Sequence, residues 1–214
     1  MIPLTIVIPN AKATCPTLDS VEKLINSINP FTINVIVTKG FNAAQARNIG
    51  ANMTIPEKNN HIVAFMDDDL VFNPKDFISL VNLLPETHGF VDSIGTRIIR
   101  RIEFQPFDER FYRAYQEDIE WQMRLIKLGF DAIRCYWAIK EISALNTNNW
   151  YKRFLISFNE ALLYLLYERS FDKWIQRMFR IGVWKHPLRY LSHAAFWAGL
   201  VYYMGVLAFR RQRR

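Results

Sequence analysis

Strand-like and helix-like patterns alternate along the first 66 residues, and this alternation limits the fold more than any other feature of the chain. Three β-rich apolar runs cover residues 4–8, 33–37 and 61–66. Apolar residues at helical spacing separate the first two runs, and an alanine-rich stretch from 43 to about 53 separates the second and third. A β-α-β-α-β order is typical of a parallel sheet with crossover helices. The sequence therefore predicts an α/β fold that binds ligands beyond the carboxyl ends of its strands.

Three consecutive carboxylates, Asp67, Asp68 and Asp69, directly follow the third apolar run. Like charges packed together cost about 1 kcal/mol or more per pair when partly desolvated, and a hard divalent cation reverses that cost. On an extended backbone, Asp67 and Asp69 would face one side of the strand and Asp68 the other. Taken alone, the triplet favours an acidic turn over a metal site. A calcium loop of the EF-hand type is not indicated, because its glycine and its twelfth-position glutamate are absent.

The composition describes a folded protein of one domain, or of one domain with an appendage. The chain has 214 residues, of which 50% are hydrophobic and 22% are charged. Its two cysteines, Cys15 and Cys135, lack metal-ligand spacing, which argues against a disulfide framework or a zinc site and fits a reducing cytoplasm. The first residues show no basic-then-apolar leader, so we expect the catalytic part to stay in the cytoplasm.

The net charge of +7 is concentrated in the carboxyl-terminal part of the chain. Residues 1–149 hold 15 Lys and Arg against 17 Asp and Glu, whereas residues 150–214 hold 12 against 3. This asymmetry predicts a catalytic domain over 1–149 and a basic extension over 150–214. A basic extension can bind nucleic acid or an anionic membrane surface, and its apolar content distinguishes the two.

The apolar content of the extension favours a membrane surface. Apolar residues from 171 to 179 recur at helical spacing opposite a cationic face, as in a helix that lies in a membrane interface; a helix packed on the protein's own core would show the same stripe. Residues 190–209 carry no formal charge and precede four arginines. Such a segment is long enough to span ~30 Å of hydrocarbon. Because a single span would place those arginines outside, shallow insertion from the cytoplasmic face is favoured. RNA binding would predict polar residues interleaved with the basic ones.

Four ordered stretches, within roughly the first 137 residues, resemble the family 2 glycosyltransferases. They are Ala-Arg-Asn-Ile-Gly at 46–50, the Asp-x-Asp strand end at 62–69, Phe-Asp-Glu at 107–109, and Glu-Asp-Ile-Glu with a following Arg at 117–124. The resemblance implies a GT-A fold, which is Rossmann-like with a mostly parallel central sheet flanked by helices. It also implies a metal-dependent, inverting transferase that uses a nucleotide-diphosphate sugar and Mn²⁺ or Mg²⁺.

The resemblance assigns roles to several residues. Asp69 would bind the metal that bridges the diphosphate, and Asp67 would contact the donor nucleotide. Asp118 would be the general base that deprotonates the acceptor hydroxyl, and Glu117 and Trp121 would form acceptor-side surface. The other nucleotide-sugar candidates lie at or near the predicted strand ends or in the 46–50 motif: Pro9, Asn10, Thr38, Lys39, Arg47 and Asp68.

Some of these residues also have a structural explanation. Arg47 is as consistent with an ion pair to a neighbouring carboxylate as with a phosphate contact. Glu117 and Asp118 open a predicted helix, where acids favour the helix dipole. Trp121 lies one helical step further, where an indole as often packs in a core. Asp68 is more consistent with a solvent-facing or capping residue than with a ligand contact.

Two departures from the family pattern bear on the substrate. Thr38-Lys39-Gly40 stands where the family commonly has Asp-Asp-Gly-Ser, so the donor base is left open. The Gln-x-x-Arg-Trp motif of processive synthases is not matched at residues 176–180, which predicts transfer of a single sugar. The membrane-directed extension predicts a lipid-linked acceptor at the cytoplasmic membrane face.

Two other functions compete with this hypothesis. A membrane-anchored scaffold that binds sugar nucleotides through a degenerate site is weakened by the retained Asp69 and Asp118, and mildly favoured by Thr38-Lys39. A nucleotidyltransferase on a similar sheet would need a glycine-rich phosphate loop early in the chain, and the sequence has none.

Overall fold

The chain forms two compact units. The computed structural model describes residues 1–9, 15–40, 42–54, 60–111, 116–142, 150–168 and 187–211. One unit comprises Met1–Glu109 and Glu117–Leu145, and the other comprises Arg110–Gln116 and Asn146–Arg214. Compared with the predicted division after residue 149, the structure assigns the short segment Arg110–Gln116 to the second unit.

A six-stranded sheet forms the centre of the first unit. Its strands are β1 (Ile2–Pro9), β2 (Phe31–Thr38), β3 (Ile62–Met66), β5 (Gly89–Ser93), β6 (Thr96–Arg100) and β7 (Asp131–Arg134), in the order β2-β1-β3-β6-β5-β7. Only β6 runs antiparallel to its neighbours, so the other five strands end at one edge. A second, antiparallel pair joins β4 (Leu70–Phe72) to β8 (Ile139–Glu141). The predicted mostly parallel sheet is confirmed.

Among the described residues, four helices flank this sheet. They are α1 (Pro16–Ile25), α2 (Ala43–Met53), α3 (Pro74–Asn82) and α4 (Glu117–Lys127), with a 3₁₀ turn at Arg101–Glu103. Local sequence explains where two of them begin. Asn42 caps α2 by accepting a hydrogen bond from the Gln45 N–H at 2.8 Å, and Asn73 caps α3 in front of a proline, which suits the first helical position.

The alternating side chains of β1 supply two apolar cores, one on each face of the sheet. Leu4, Ile6 and Ile8 belong to the cluster that includes residues of α1 and α3. Val7 belongs to the cluster that includes residues of α2 and α4. Helix α2 packs closely on β1, because a Cβ at Gly50 would clash with the Val7 side chain. This close packing places the start of α2 next to the strand ends.

The second unit contains the helices α5 (Trp150–Leu163) and α6 (Pro187–Arg211), with a π-helical turn over Tyr164–Glu168. The two helices pack against each other, and the Tyr203 hydroxyl donates a hydrogen bond to the buried Asn159 side chain. A Cβ at Gly199 would overlap the Phe158 carbonyl oxygen, so the backbones approach closely. None of the helices described is both long and apolar enough to cross a membrane. The amphipathic helix predicted over 171–179 lies outside the described residues.

Candidate active site

The three aspartates lie in a turn between β3 and β4. Asp68 and Asp69 form the turn itself, so the extended backbone predicted for the triplet is wrong, and with it the alternation of Asp67 and Asp69 against Asp68. Thr17 of α1 holds both ends of this turn. Its hydroxyl donates to the Asp67 carbonyl oxygen at 2.6 Å and accepts from the Leu70 N–H at 2.9 Å. The three aspartates are half-buried, and these bonds fix the backbone of the turn that carries them.

The hairpin between β5 and β6 supports the turn from the other side. The Asp67 N–H donates to the Gly95 carbonyl oxygen at 2.9 Å, and the Ile142 N–H donates to the Asp69 carbonyl oxygen at the same distance. Gly95 has a φ of +57°, and a Cβ there would approach Leu70 to 2.7 Å and Asp67 Oδ2 to 3.2 Å. A glycine is therefore required here by conformation and by space.

Arg47 joins two parts of the predicted site that are 50 residues apart. Its guanidinium donates from Nη2 to Asp67 Oδ1 at 2.7 Å and from Nη1 to Glu117 Oε1 at 2.6 Å. The Arg47 side chain is buried, with its Cζ atom 5.3 Å from the centre of the Phe107 ring. Burial lowers the pKa of Arg47, but the charges of Asp67, Glu117 and Asp118 outweigh it and raise the pKa well above its usual range. The structure thus shows the ion-pair alternative for Arg47, with both donors on carboxylates.

Glu117, predicted on the acceptor side, is buried. One carboxylate oxygen accepts from Arg47, while the other, Oε2, has no hydrogen-bond partner among the described residues. Burial raises the pKa of Glu117, against the opposing charge of Arg47. The Glu117 carboxylate is therefore the more deeply buried acid of the Arg47 ion pairs. The free-energy cost of burying its charge is offset only by a closely placed cation.

Trp121, also predicted on the acceptor side, lies in the core. Its side chain is fully buried, and its indole N–H donates to the Gln105 carbonyl oxygen at 2.6 Å. The rings of Phe90 and Phe107 lie 5.3 and 5.0 Å from the indole. The reason is helical geometry, since Trp121 follows Glu117 by one turn and shares its buried face.

Asp118 stands at the start of α4 with its side chain partly exposed. It follows Gln116, which has a φ of 72°, an uncommon conformation for a residue other than glycine. Asp118 Oδ1 accepts from the Ile119 N–H at 2.9 Å, and Oδ2 accepts from Arg97 Nη2 at 2.5 Å. Burial raises the pKa of Asp118, but the charges of Arg97 and Arg47 outweigh it, and the net shift is downward. The carboxylate is therefore ionised at neutral pH, as a general base must be.

Two site residues, Arg97 and Asp92, were not predicted from the sequence. They face each other across the β5–β6 hairpin, with Arg97 Nε 3.1 Å from Asp92 Oδ1. The hairpin turns at Ile94-Gly95, with Ser93 and Thr96 as the inner pair. An acid and a base placed symmetrically about such a turn predict a cross-strand ion pair, and this signal could have identified them.

The remaining nucleotide candidates differ in what they can offer a ligand. Thr38 is buried, and its hydroxyl donates to the Ala46 carbonyl oxygen at 2.7 Å, which joins the end of β2 to α2. Pro9 is also buried, at the end of β1, whereas Lys39 is exposed. Asn10 lies outside the described residues. On the β1 and β2 strand ends, Lys39 is thus the described candidate whose side chain reaches solvent.

The donor atoms of the aspartate turn fit a hard divalent cation. Mg²⁺ and Mn²⁺ usually take one or two protein carboxylates and complete their shell with water and substrate phosphates. No three His, Cys, Asp or Glu side chains are grouped as a metal cage in the described ranges. Asp67 Oδ1 is bonded to Arg47, and the family resemblance gives Asp69 as the metal ligand.

Comparisons with known proteins agree with this fold. The family model described as Glycosyl transferase family 2 matches residues 4–156. Among solved structures, the mannosyltransferase PcManGT from Pyrobaculum calidifontis, in complex with GDP-Man and Mn²⁺, aligns with a TM-score of 0.50 at 12% identity, over 98% of this chain and 79% of that one. Glucosyl-3-phosphoglycerate synthase from Mycobacterium tuberculosis, in complex with Mn²⁺, UDP and phosphoglyceric acid, aligns with a TM-score of 0.49 at 15% identity, over 73% and 76%. A search of curated protein sequences finds no significant match.

Proposed function

Because this chain belongs to glycosyl transferase family 2 and is a glycosyltransferase, we propose that it transfers a single sugar, with inversion, from a nucleotide-diphosphate sugar to an acceptor hydroxyl. The aspartate turn takes the donor side of the site, and Asp118 takes the acceptor side. Asp67, Asp69 and Lys39 are the described residues that serve the donor, while Thr38 and Arg47 support the site from within.

The double ion pair of Arg47 carries this proposal. It connects the Asp67 carboxylate after β3 to the Glu117 carboxylate at the start of α4, with bonds of 2.7 and 2.6 Å. Asp118 is the next residue after Glu117, so the same contact places the base near the aspartate turn. A donor site and a base held at one strand edge are the arrangement that single-displacement transfer requires.

The reaction uses Asp118 as its only proton acceptor. The acceptor hydroxyl oxygen forms a bond to the anomeric carbon, its proton passes to a carboxylate oxygen of Asp118, and the bond from that carbon to the diphosphate oxygen breaks. The electron pair of the broken bond leaves with the nucleoside diphosphate. A hydrolase would instead place two carboxylates on either side of the sugar bond.

Asp69 is the residue we assign to the metal. A bound Mn²⁺ or Mg²⁺ supplies positive charge to the departing diphosphate. The complex of PcManGT with GDP-Man and Mn²⁺ supports Mn²⁺ as the first ion to test. The turn that carries Asp69 is held at four backbone positions, which supports a backbone at Asp69 that is already in place before the donor binds.

We assign the acceptor to the lipid-linked class and the enzyme to the cytoplasmic face of a membrane. Two features of the second unit support this. Residues 150–214 carry 12 Lys and Arg against 3 Asp and Glu. Over residues 194–206, where its side chains are described, α6 exposes large apolar side chains that include Trp197, Val201 and Met204. A soluble acceptor would give no reason for such a surface.

A thermal-shift experiment tests the donor side. We expect one of UDP, GDP, ADP and CDP to raise the melting temperature in the presence of Mn²⁺, and its sugar conjugate to release the nucleotide during transfer. Asp69→Ala should abolish the Mn²⁺-dependent part of this rise in melting temperature. The control Asp131→Ala, at an exposed position on β7, should keep it. Unchanged Mn²⁺-dependent binding in Asp69→Ala would remove the metal role.

The scaffold alternative makes a different prediction in the same experiment. A degenerate site would bind the nucleotide sugar but release no nucleotide with any acceptor, and Asp118→Asn would change nothing. The partly exposed, ionised Asp118 favours turnover over this outcome.

A further inference from the structure

The strongest feature that the proposed function does not yet use is the pair of contacts made by Arg97. This residue lies on β6, at the strand edge where the aspartate turn and the start of α4 meet. Its side chain is nearly buried, and its guanidinium contacts Asp92 on one side and Asp118 on the other. Arg97 Nε forms an ion pair with Asp92 Oδ1 but makes no hydrogen bond to a described residue, whereas Nη2 donates a hydrogen bond to Asp118 Oδ2. Opposite charges on two sides therefore hold the guanidinium between the two acids.

Asp92 is itself anchored by three elements. It is buried on β5 and lies opposite Arg97 in the strand register. Gln122 of α4 donates to Asp92 Oδ1 at 3.0 Å, and the Tyr136 hydroxyl, just after β7, donates to Oδ2 at 3.2 Å. Burial raises the pKa of Asp92, against the charge of Arg97. The acid is therefore a fixed support for the guanidinium.

Asp118 stands at the other end of this arrangement. One of its oxygens accepts from its own helix at the Ile119 N–H, and the other accepts from Arg97 at 2.5 Å. The plane of the carboxylate is thus set by two donors, one backbone and one side chain. Each oxygen keeps a second lone pair, which can accept the proton of an acceptor hydroxyl.

We propose that Arg97, supported by Asp92, is a positioning residue for Asp118: it orients the base carboxylate and holds its negative charge at the acceptor side. This inference rests on the proposed function, because it assigns Asp118 the role of base. Arg97 itself touches neither the donor nor the acceptor in this scheme, and acts only through Asp118.

The charges around Asp118 make the effect of Arg97 separable from that of its neighbours. The cations are Arg97 on β6 and Arg47 on α2, and the acids are Glu117 on α4 and Asp92 on β5. Arg47 donates to Asp67 and Glu117, so it acts on Asp118 only across space. Burial has the largest effect on the pKa of Asp118 and raises it. Arg97, which donates a hydrogen bond directly to Asp118, lowers this pKa more than Arg47 does.

The test is a carbon-13 titration of the Asp118 carboxyl carbon in the full chain, with the resonance assigned by its loss in Asp118→Asn. In the unsubstituted protein we expect a pKa below the ordinary range of aspartate. Arg97→Met should raise the pKa of Asp118 by at least about one unit, which is a tenfold loss of acidity. Arg97→Lys keeps the positive charge but loses the planar guanidinium. The pKa of Asp118 in this variant should lie between its values in the unsubstituted protein and in Arg97→Met.

Arg100→Met is the matched control. Arg100 lies on the same strand, but its side chain donates to the Pro85 carbonyl oxygen and makes no contact with Asp118. Its loss should leave the Asp118 titration unchanged. An equal shift in Arg97→Met and Arg100→Met would show a general loss of charge or fold and overturn the proposal.

The proposal stays testable if a variant does not fold or if sugar transfer fails. If Arg97→Met does not fold, the unsubstituted protein and Arg97→Lys still carry the test, and an Asp118 pKa at or above the ordinary range in the unsubstituted protein refutes the proposal. The titration needs neither donor nor acceptor, so it succeeds or fails apart from sugar transfer. Full transfer by Asp118→Asn would instead refute the base itself, and with it the proposed mechanism.

Discussion

Single arginine side chains connect the distant acids of this site. Arg47 bonds to Asp67 and Glu117, and Arg97 contacts Asp92 and Asp118. Four carboxylates thus share two guanidinium groups in a largely buried setting. Since breaking a buried pair leaves an uncompensated charge, we expect these residues to control stability as well as activity.

The first prediction at the residue scale concerns the base. Asp118→Asn should bind the donor nucleotide as the unsubstituted protein does, but lower the transfer rate by about 10² to 10⁴-fold, the usual worth of general base catalysis. Nucleotide thermal shifts and the rate of nucleotide release measure the two effects. Asp131→Asn, an exposed change on β7, is the control and should leave both unchanged.

The same residue predicts a dependence of stability on pH. Because the pKa of Asp118 is lowered in the folded state, its ion pair stabilises the fold above the unfolded value of about 3.9, and this contribution is lost as pH falls through the folded value. The difference in unfolding free energy between the unsubstituted protein and Asp118→Asn should therefore be present at pH 7 and vanish at strongly acidic pH. Urea unfolding across this range measures it, and a difference that grew toward acid pH would contradict the assigned shift.

Arg47 supports a prediction of stability without reference to catalysis. Arg47→Met leaves the buried Glu117 carboxylate without its cation and should destabilise the fold by about 3–5 kcal/mol. Adding Glu117→Gln should recover part of that loss, because no unpaired buried charge then remains. Denaturant unfolding gives both values. Arg134→Met, at an exposed end of β7, should change stability by no more than about 0.5 kcal/mol.

At the scale of elements, the aspartate turn depends on residues from several others. Thr17 of α1 bonds to Asp67 and Leu70, Gly95 of the hairpin bonds to Asp67, and Ile142 bonds to Asp69. Each of these partners lies far from the turn in the sequence. The backbone of the turn is therefore held by the surrounding elements, and with it the position of Asp69, the proposed metal ligand.

Thr17→Val tests this dependence. The change keeps the shape of the side chain but removes a donor and an acceptor from a buried turn, so it should cost about 1–3 kcal/mol of stability. It should also reduce the Mn²⁺-dependent thermal shift with nucleotide, because Asp69 loses its fixed position. Thr32→Val, on the exposed side of β2, is the matched control. Equal behaviour of the two variants would show that Thr17 does not order the turn.

At the scale of the whole molecule, the second unit carries the surface that we propose contacts a membrane. The outward face of α6 is apolar at Trp197, Val201, Tyr202 and Met204, while its other face packs within the unit through Phe196 and other buried residues. Arginines follow this apolar face at the end of the chain. An apolar face beside basic residues is the combination that binds anionic lipid surfaces.

Vesicle sedimentation tests this surface. The full chain should pellet with vesicles that contain anionic lipid, and more weakly as salt rises. Val201→Asp should weaken pelleting roughly tenfold or more, because a charge enters the apolar contact. Ile28→Asp, which alters a fully exposed apolar residue of the first unit, should pellet as before. Equal loss in both variants, or none in Val201→Asp, would exclude this face as the membrane contact.

The sequence by itself determined the first three strands and the two helices between them, together with the helix that begins at Glu117. Strand runs, the alanine-rich helix and the acidic triplet are local patterns, and local preferences of the backbone decide them. The helix predicted from 43 to about 53 is observed as Ala43–Met53. The fold class follows from the same patterns, because alternating strands and helices allow few arrangements.

Only the tertiary structure decided what the side chains do. Whether Arg47 meets a phosphate or two carboxylates, and whether Trp121 faces an acceptor or the core, depends on packing between segments that are far apart in the sequence. The residues Arg97 and Asp92 entered the site for the same reason, through the pairing of β5 with β6 and of Arg97 with α4. Side-chain types show which chemistry is available, whereas burial and charge pairing, which arise on folding, select the groups that remain able to perform it.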